Sequence, residues 1–243
     1  IPSLFWIKNK ELSINNNIES LLLALKEKSE NILYSINTQI NFNDLKIEID
    51  RNTILSNLKE ELKNNKLFII SGVGGVGKTA IIKKLFLELQ DTTKFYIFKA
   101  SEFNINSTSE LFKNFTLNDF IESHQDAKEK IIVIDSAEKL LDIKNTEAFK
   151  EALSSFIKNN WKVIFTTREN YLNDLNFQFI EVYKINPINV NVQNLSNKEL
   201  IDLSNEFSFS IPTDEKLTEL IRNPFYLDEY LSLQTGKGTS YTD

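Results

Sequence analysis

The stretch Ser71–Thr79, SGVGGVGKT, constrains this chain more than any other, because it holds four of the six glycines in the sequence. Gly72, Gly77, Lys78 and Thr79 occupy the fixed positions of the pattern G-x-x-x-x-G-K-[ST]. Its flanks suit a strand-to-helix turn. Leu67-Phe68-Ile69-Ile70 is a short apolar run, and Ile81, Ile82, Leu85, Phe86 and Leu89 recur at helical spacing over Ala80–Leu89. A triphosphate carries several negative charges that must be met at close range. Glycines bring backbone N–H groups against the phosphates, and the positive end of the helix dipole adds to them. The loop from Gly72 through Val73, Gly74, Gly75, Val76 and Gly77 to Ala80 is therefore expected to cradle phosphate. Lys78 is expected to reach the β- and γ-phosphates, and the Thr79 hydroxyl to ligate Mg²⁺.

Two further strand ends carry chemistry. Ile131-Ile132-Val133-Ile134-Asp135 is a β-branched run ending in an acid, the Walker B form. A central parallel strand delivers its last residue to the C-terminal edge of the sheet, where ligands bind. Asp135 is expected to hold Mg²⁺ through a water while Thr79 holds it directly. Where many ATPases place a glutamate next to this aspartate, Ser136 follows here, and the nearest acid is Glu138. Either Glu138 activates water or hydrolysis is slow. Val163–Arg168, VIFTTR, ends another core strand. If that strand lies beside the Walker B strand, Thr167 or Arg168 faces the γ-phosphate, and a guanidinium there senses the third phosphate. A guanine-reading N-K-x-D motif is absent, since Asn197-Lys198-Glu199-Leu200 lacks the aspartate, so adenine is expected. Gly236-Lys237-Gly238-Thr239 resembles a second phosphate loop only superficially.

Composition narrows the class. The 243 residues are 41% hydrophobic and 26% charged, ordinary for a globular protein, with a net charge of −6 that gives no basic footprint for nucleic acid. The chain has no cysteine and one histidine, which rules out disulfides and disfavours zinc. No run approaches the ~18 apolar residues of a membrane helix and no signal peptide is visible, so a cytoplasmic location is expected. Methionine is absent even at position 1, which suggests a segment of a longer protein.

Strand-like runs alternating with helical patterns predict an α/β fold: a P-loop NTPase with a five-stranded, mostly parallel sheet flanked by helices, and a small C-terminal helical subdomain. Besides the three strands above, Phe95–Ala100 and Phe179–Tyr183 are read as strands, and Thr53–Leu62 and Thr146–Asn159 as helices. Residues 1–16 read as irregular, residues 18–36 as one or two amphipathic helices, and a helix is expected near Ser109–Ser123, with His124 solvent-exposed. The C-terminal helices are placed at Ser196–Phe207, Thr213–Arg222 and Phe225–Leu233, with a capping box at Ser196 and Glu199 and helix starts at Pro212 and Pro224. The expected division is a helical linker region (1–46), a nucleotide-binding domain (47–190), a helical subdomain (191–235) and a flexible tail (236–243). Ile49 and Arg51, just ahead of the first core strand, are candidates to lie over the base, with a plain surface loop as the alternative.

With these residues assembled, the chain resembles the STAND class of signal-transduction ATPases, which includes animal and plant innate-immune receptors and bacterial antiphage sensors. The resemblance rests on GVGGVGKT (72–79), IIVIDSAEKL (131–140), VIFTTR (163–168) and RNPFYLDEYL (222–231), in that order. It implies that Pro224 packs against adenine. It also implies a switch between an ADP-bound closed form and an ATP-bound form that oligomerises, flanking sensor and effector domains, and, for a sequence of bacterial tone, a viral protein as trigger. The class uses a histidine from a later winged-helix domain, which this chain does not reach. Its usual acidic pair is reduced here to Ser136-Ala137-Glu138, so the base is open. Two other readings stand beside the switch: an AAA-like motor or DNA-repair ATPase, and a small-molecule or nucleoside kinase. The kinase is disfavoured because arginine is confined to Arg51, Arg168 and Arg222.

Overall fold

The computed structural model describes residues 2–113 and 115–234, and of residues 2–17 the backbone alone. Helix α1 runs unbroken over Pro2–Tyr34, so the stretch expected to be irregular up to residue 16 is instead helix from Pro2 onward. The span contains no glycine, and its one proline sits at the first position, where a helix tolerates it. An antiparallel hairpin follows, β1 (Gln39–Phe42) and β2 (Leu45–Glu48), and then helix α2 (Asn52–Glu61).

The core alternates strands and helices: β3 (Leu67–Gly72), α3 (Lys78–Leu89), β4 (Thr93–Lys99), α4 (Leu117–Glu122), β5 (Glu129–Asp135), α5 (Glu147–Lys158), β6 (Lys162–Arg168), α6 (Leu172–Phe177) and β7 (Ile188–Asn191). The strands form one parallel sheet in the order β4-β5-β6-β3-β7. Successive side chains on a strand point to opposite faces. Leu67, Ile69, Ile132, Ile134, Val163 and Phe165 therefore pack with α4 and α5 on one side. Phe68, Ile70, Ile131, Val133 and Ile164 pack with α2 and α3 on the other. Near-continuous apolar strands are what a sheet covered on both faces requires.

Helix α1 closes the open edge at β4. Its Ser29 hydroxyl donates to the Leu25 carbonyl at 2.7 Å and accepts the Ile97 N–H of β4 at 3.0 Å. Leu21 and Leu25 join the first face and Leu33 the second, so the helix wraps the edge. Although α1 is long, no helix among the described residues is long and apolar enough to cross a membrane.

Further expectations need correction. Phe179–Tyr183 is not a strand but lies in and just after a π-helical turn over Gln178–Val182. Phe179 is buried against Phe165 and Tyr183, whereas Ile180 and Val182 are exposed, a spacing of four rather than two. The fifth strand is β7, beside β3. The helix expected over Ser109–Ser123 is reduced to a 3₁₀ turn at Thr108–Glu110 and the short α4, which Thr116 caps with Asp119.

His124 is not solvent-exposed but 3% accessible. Its Nδ1 lies 2.7 Å from the Phe120 carbonyl and its Nε2 2.9 Å from the Tyr96 hydroxyl. A carbonyl only accepts, so Nδ1 carries the proton; in the neutral ring, which burial favours, Tyr96 then donates to Nε2. The ring packs against Phe120 and Trp161, and Lys130 reaches over the Trp161 ring.

The C-terminal helices are α7 (Asn197–Phe207), α8 (Glu215–Ile221) and α9 (Pro224–Gln234). Ser196 and Glu199 form the expected capping box, and Pro224 opens α9 as expected. Pro212 does not start a helix, because Asp214 caps α8 by accepting the Leu217 N–H at 2.8 Å. These helices share a third core with the hairpin, in which Ile40, Phe42 and Ile47 meet Leu200, Phe209 and Leu227. Residues 235–243, with the expected flexible tail and the Gly236–Thr239 loop, lie outside the described residues.

Burial pushes the His124 pKa down, opposed by the Phe120 carbonyl and reinforced by Lys94 and Lys130. A folded value below the unfolded ~6.5 means that the unfolded chain takes up the proton first. The stability held by neutral His124 is complete above that value and is lost as pH falls below it, at up to ~1.4 kcal/mol per pH unit. Urea unfolding at pH 7.5 and 5.5 is expected to show the gap between wild type and His124→Gln narrowing at the lower pH. An unchanged gap would contradict the assignment.

Candidate functional site

Strand order puts β6 between β3 and β5, with Ser71 paired to Thr167, Gly72 to Arg168 and Ile134 to Phe165. The ends of three strands thus meet at one edge of the sheet, directly below the glycine-rich loop. The loop leaves β3 and enters α3 through Gly77, whose φ of 98° lies in the left-handed region. Val76, 1% exposed, drops into the core and anchors the middle of the loop. Gly75 has φ 79°, and a Cβ there would sit 2.6 Å from Phe225 Cβ and 2.8 Å from Asn223 Oδ1. Only glycine fits, because α9 approaches the loop so closely.

Lys78 Nζ donates to the Gly72 and Val73 carbonyls at 2.8 and 2.9 Å. Burial pulls its pKa down, Glu138 and Asp135 push it back up, and Arg168 lowers it. Lysine, both acids and the arginine therefore share one electrostatic neighbourhood. Asp135 ends β5, and Glu138 sits on a 3₁₀ turn over Ala137–Asp142. Thr167, 1% exposed, donates to Glu138 Oε2 at 3.3 Å. Arg168 Nε lies 3.9 Å from Glu138 Oε1, and the arginine side chain is exposed.

Beside the loop lies a cleft of 340 Å³. Gly75, Val76, Gly77, Lys78, Thr79 and Ala80 form one wall. Ile49, Arg51 and Pro224, far apart in sequence, come together on the others. Arg51 is held there by a hydrogen bond from Nη2 to the Gln193 carbonyl at 2.9 Å. Gly72, Val73 and Gly74 do not line this cleft; Val73 and Gly74 face a second groove, which Arg168 also lines. Nor do Asp135, Glu138 or Arg168 line it, since they stand at the strand ends next to Lys78.

Sequence reasoning missed several contributors. Thr38, Gln39 and Ile40 of the hairpin line the cleft. The Asn43-Asp44 turn, with Asn43 at φ 54°, was the available signal for that hairpin. Asp228, one turn along α9 from Pro224, lines the cleft too, and burial beside Glu229 raises its pKa. Asn223, 5% exposed, donates from Nδ2 to the Gly74 carbonyl at 2.8 Å and accepts the Phe225 N–H at 3.1 Å. It clasps the glycine-rich loop to the start of α9. Thr166 bonds both Asp135 and the Ser136 N–H.

Among solved structures, the chain is similar to the Walker-type ATPase PABY2304 of Pyrococcus abyssi, with a TM-score of 0.55 and 18% identity over 84% of this chain and 72% of that one. It is similar to AMPPCP-bound DnaA from Aquifex aeolicus, with a TM-score of 0.52 and 17% identity over 78% of this chain and 63% of that one. It is also similar to the Orc1 protein of Aeropyrum pernix in complex with DNA, with a TM-score of 0.52 and 14% identity over 75% of this chain and 58% of that one. At such identities these likenesses establish the P-loop NTPase fold. A comparison with curated proteins yields no match. The family model of the novel STAND NTPase 3 group matches residues 51–205, more than half of the chain and all three strand-end motifs, and the chain accordingly belongs to that family of STAND NTPases.

Proposed function

We propose that this chain is the ATP-binding and ATP-hydrolysing switch module of a larger signalling or antiviral-defence protein, closed with ADP and opened to an oligomer with ATP. The observation that carries the reading is the composition of the cleft walls. A nucleotide held by Gly75–Ala80 would also touch the hairpin and Pro224 at the start of α9. Its presence and phosphate number would then bias how the C-terminal helices sit on the loop, through contacts such as that of Asn223 with Gly74. A ligand shifts a conformational equilibrium only by touching the two states differently, and this cleft has walls from both sides. The viral trigger and the flanking sensor and effector domains rest on the resemblance to the STAND class, and the cytoplasmic location on composition and the lack of a visible signal peptide.

Within that reading, loop N–H groups and Lys78 would hold the phosphates, with Lys78 exchanging its two carbonyl partners for phosphate oxygens. Ile49, Arg51 and Pro224 would enclose the base. Among the described residues no three acids or histidines gather as a metal cage. The donors present nonetheless suit Mg²⁺, which favours one or two protein oxygens plus phosphates and water. Thr79 and Asp135 would hold it, and it would neutralise charge developing on the phosphates. Glu138, half-buried and bonded by Thr167, is the candidate to orient water, and Arg168 the candidate to sense the γ-phosphate. Because Arg168 also pairs with Glu138, turnover would be slow and regulatory.

A second reading, a DNA-handling ATPase, draws on DnaA and Orc1, whose structures share the fold. The net charge of −6 speaks against it. Steady-state hydrolysis with and without DNA separates the two, since the switch is indifferent to DNA.

Lys78→Ala is expected to weaken Mg-ATP binding at least ~10-fold by isothermal titration, through loss of charged hydrogen bonds to phosphate. Unchanged affinity would sink the nucleotide site. In competition, ATP is expected to displace a bound fluorescent nucleotide at lower concentration than GTP; the reverse order would overturn the adenine assignment. Glu138→Gln is expected to retain ATP affinity while single-turnover hydrolysis falls roughly 10²-fold, as for loss of a general base. In the complete protein, that trapped state should signal more strongly. Hydrolysis at the wild-type rate would move the base elsewhere, and a loss of output would reject the switch.

A further inference from the structure

Thr166 lies two residues before Arg168 on β6 and is 2% exposed. Its hydroxyl is fully committed. The Ser136 N–H donates to Oγ1 at 3.1 Å, and Oγ1 in turn lies 2.5 Å from Asp135 Oδ1. An ionised carboxylate only accepts, so the single hydroxyl proton must point at Asp135. One carboxylate oxygen is thereby occupied, and the other has no protein donor among the described residues. The same hydroxyl holds Ser136 at φ 59°, ψ 49°, a left-handed conformation that non-glycine residues seldom adopt. That turn is where the chain leaves β5 and begins the 3₁₀ segment bearing Glu138.

We propose that Thr166 is a positioning residue for metal-dependent triphosphate binding: it orients the Asp135 carboxylate and pins the turn that carries Glu138. The proposal rests on reading the loop and strand ends as a Mg-ATP site. A hydroxyl that merely satisfied a buried backbone group would matter equally with and without metal. A hydroxyl that aims Asp135 matters only when a cation is there to be met, as outer-shell partners of metal-binding carboxylates do.

The test is ATP affinity of the whole chain, by isothermal titration, in Mg²⁺ and again in EDTA, for wild type, Thr166→Val and Thr166→Ser. Valine keeps the shape and removes the hydroxyl; serine keeps the hydroxyl. Thr166→Val is expected to bind ATP about tenfold more weakly in Mg²⁺ and within about twofold of wild type in EDTA, with serine matching wild type in both. If valine does not unfold cooperatively, Thr166→Ala takes its place with the same expectation. Wild-type affinity of the valine variant in Mg²⁺, an equal loss in EDTA, or a serine variant that behaves like valine would each overturn the proposal. If wild type binds no ATP in either buffer, or binds it equally well in both, the Mg-ATP reading itself fails and takes this proposal with it.

Discussion

The structure depends on placing β6, rather than a helix or solvent, between the strand that feeds the glycine-rich loop and the strand that ends in Asp135. Parallel strands bring all their C-terminal ends to one edge, so three strand ends are held at adjacent hydrogen-bonded spacings, ~4.8 Å each. Asp135, Glu138 and Arg168 consequently all act on the charge of Lys78, although the four come from three separate segments. Both faces of the sheet are buried, which makes each strand's register costly to slip. Rigidity below the site comes from that burial and not from the loop itself.

The loop is held from above as well. Val76 is pulled into the core under it, while Asn223 and Phe225 close over Gly74 and Gly75. Glycine at position 75 is therefore demanded twice, once by its positive φ and once by the approach of α9. Helix α9 also shares an apolar core with the hairpin. The cleft walls opposite the loop consequently belong to a unit built from residues far apart in sequence.

At this edge of the sheet, two neighbouring threonines divide their attention. Thr166 bonds Asp135, and Thr167 bonds Glu138. Such a pairing of hydroxyls with acids, one each, gives this strand end a hold on two carboxylates. It also explains why a buried strand in an apolar sheet ends in two polar residues.

Local chemistry made much of this readable from the sequence alone. The loop, the β-branched run to Asp135 and the strand ending in Arg168 each carry their own signature, because glycine torsions and apolar runs are properties of short segments. The capping box at Ser196 and Glu199 and the start of α9 at Pro224 were legible for the same reason. What depended on distant contacts was not. Phe179–Tyr183 looked like a strand until packing against Phe165 showed a helical spacing, and His124 looked exposed until Tyr96, Phe120 and Trp161 enclosed it. The hairpin wall, the Asn223 clasp and the bond from Thr166 to Asp135 join residues that sequence separates widely. Only the tertiary structure could decide them, because side-chain burial and hydrogen-bond partners are set by the elements that meet and not by the order in which they are written.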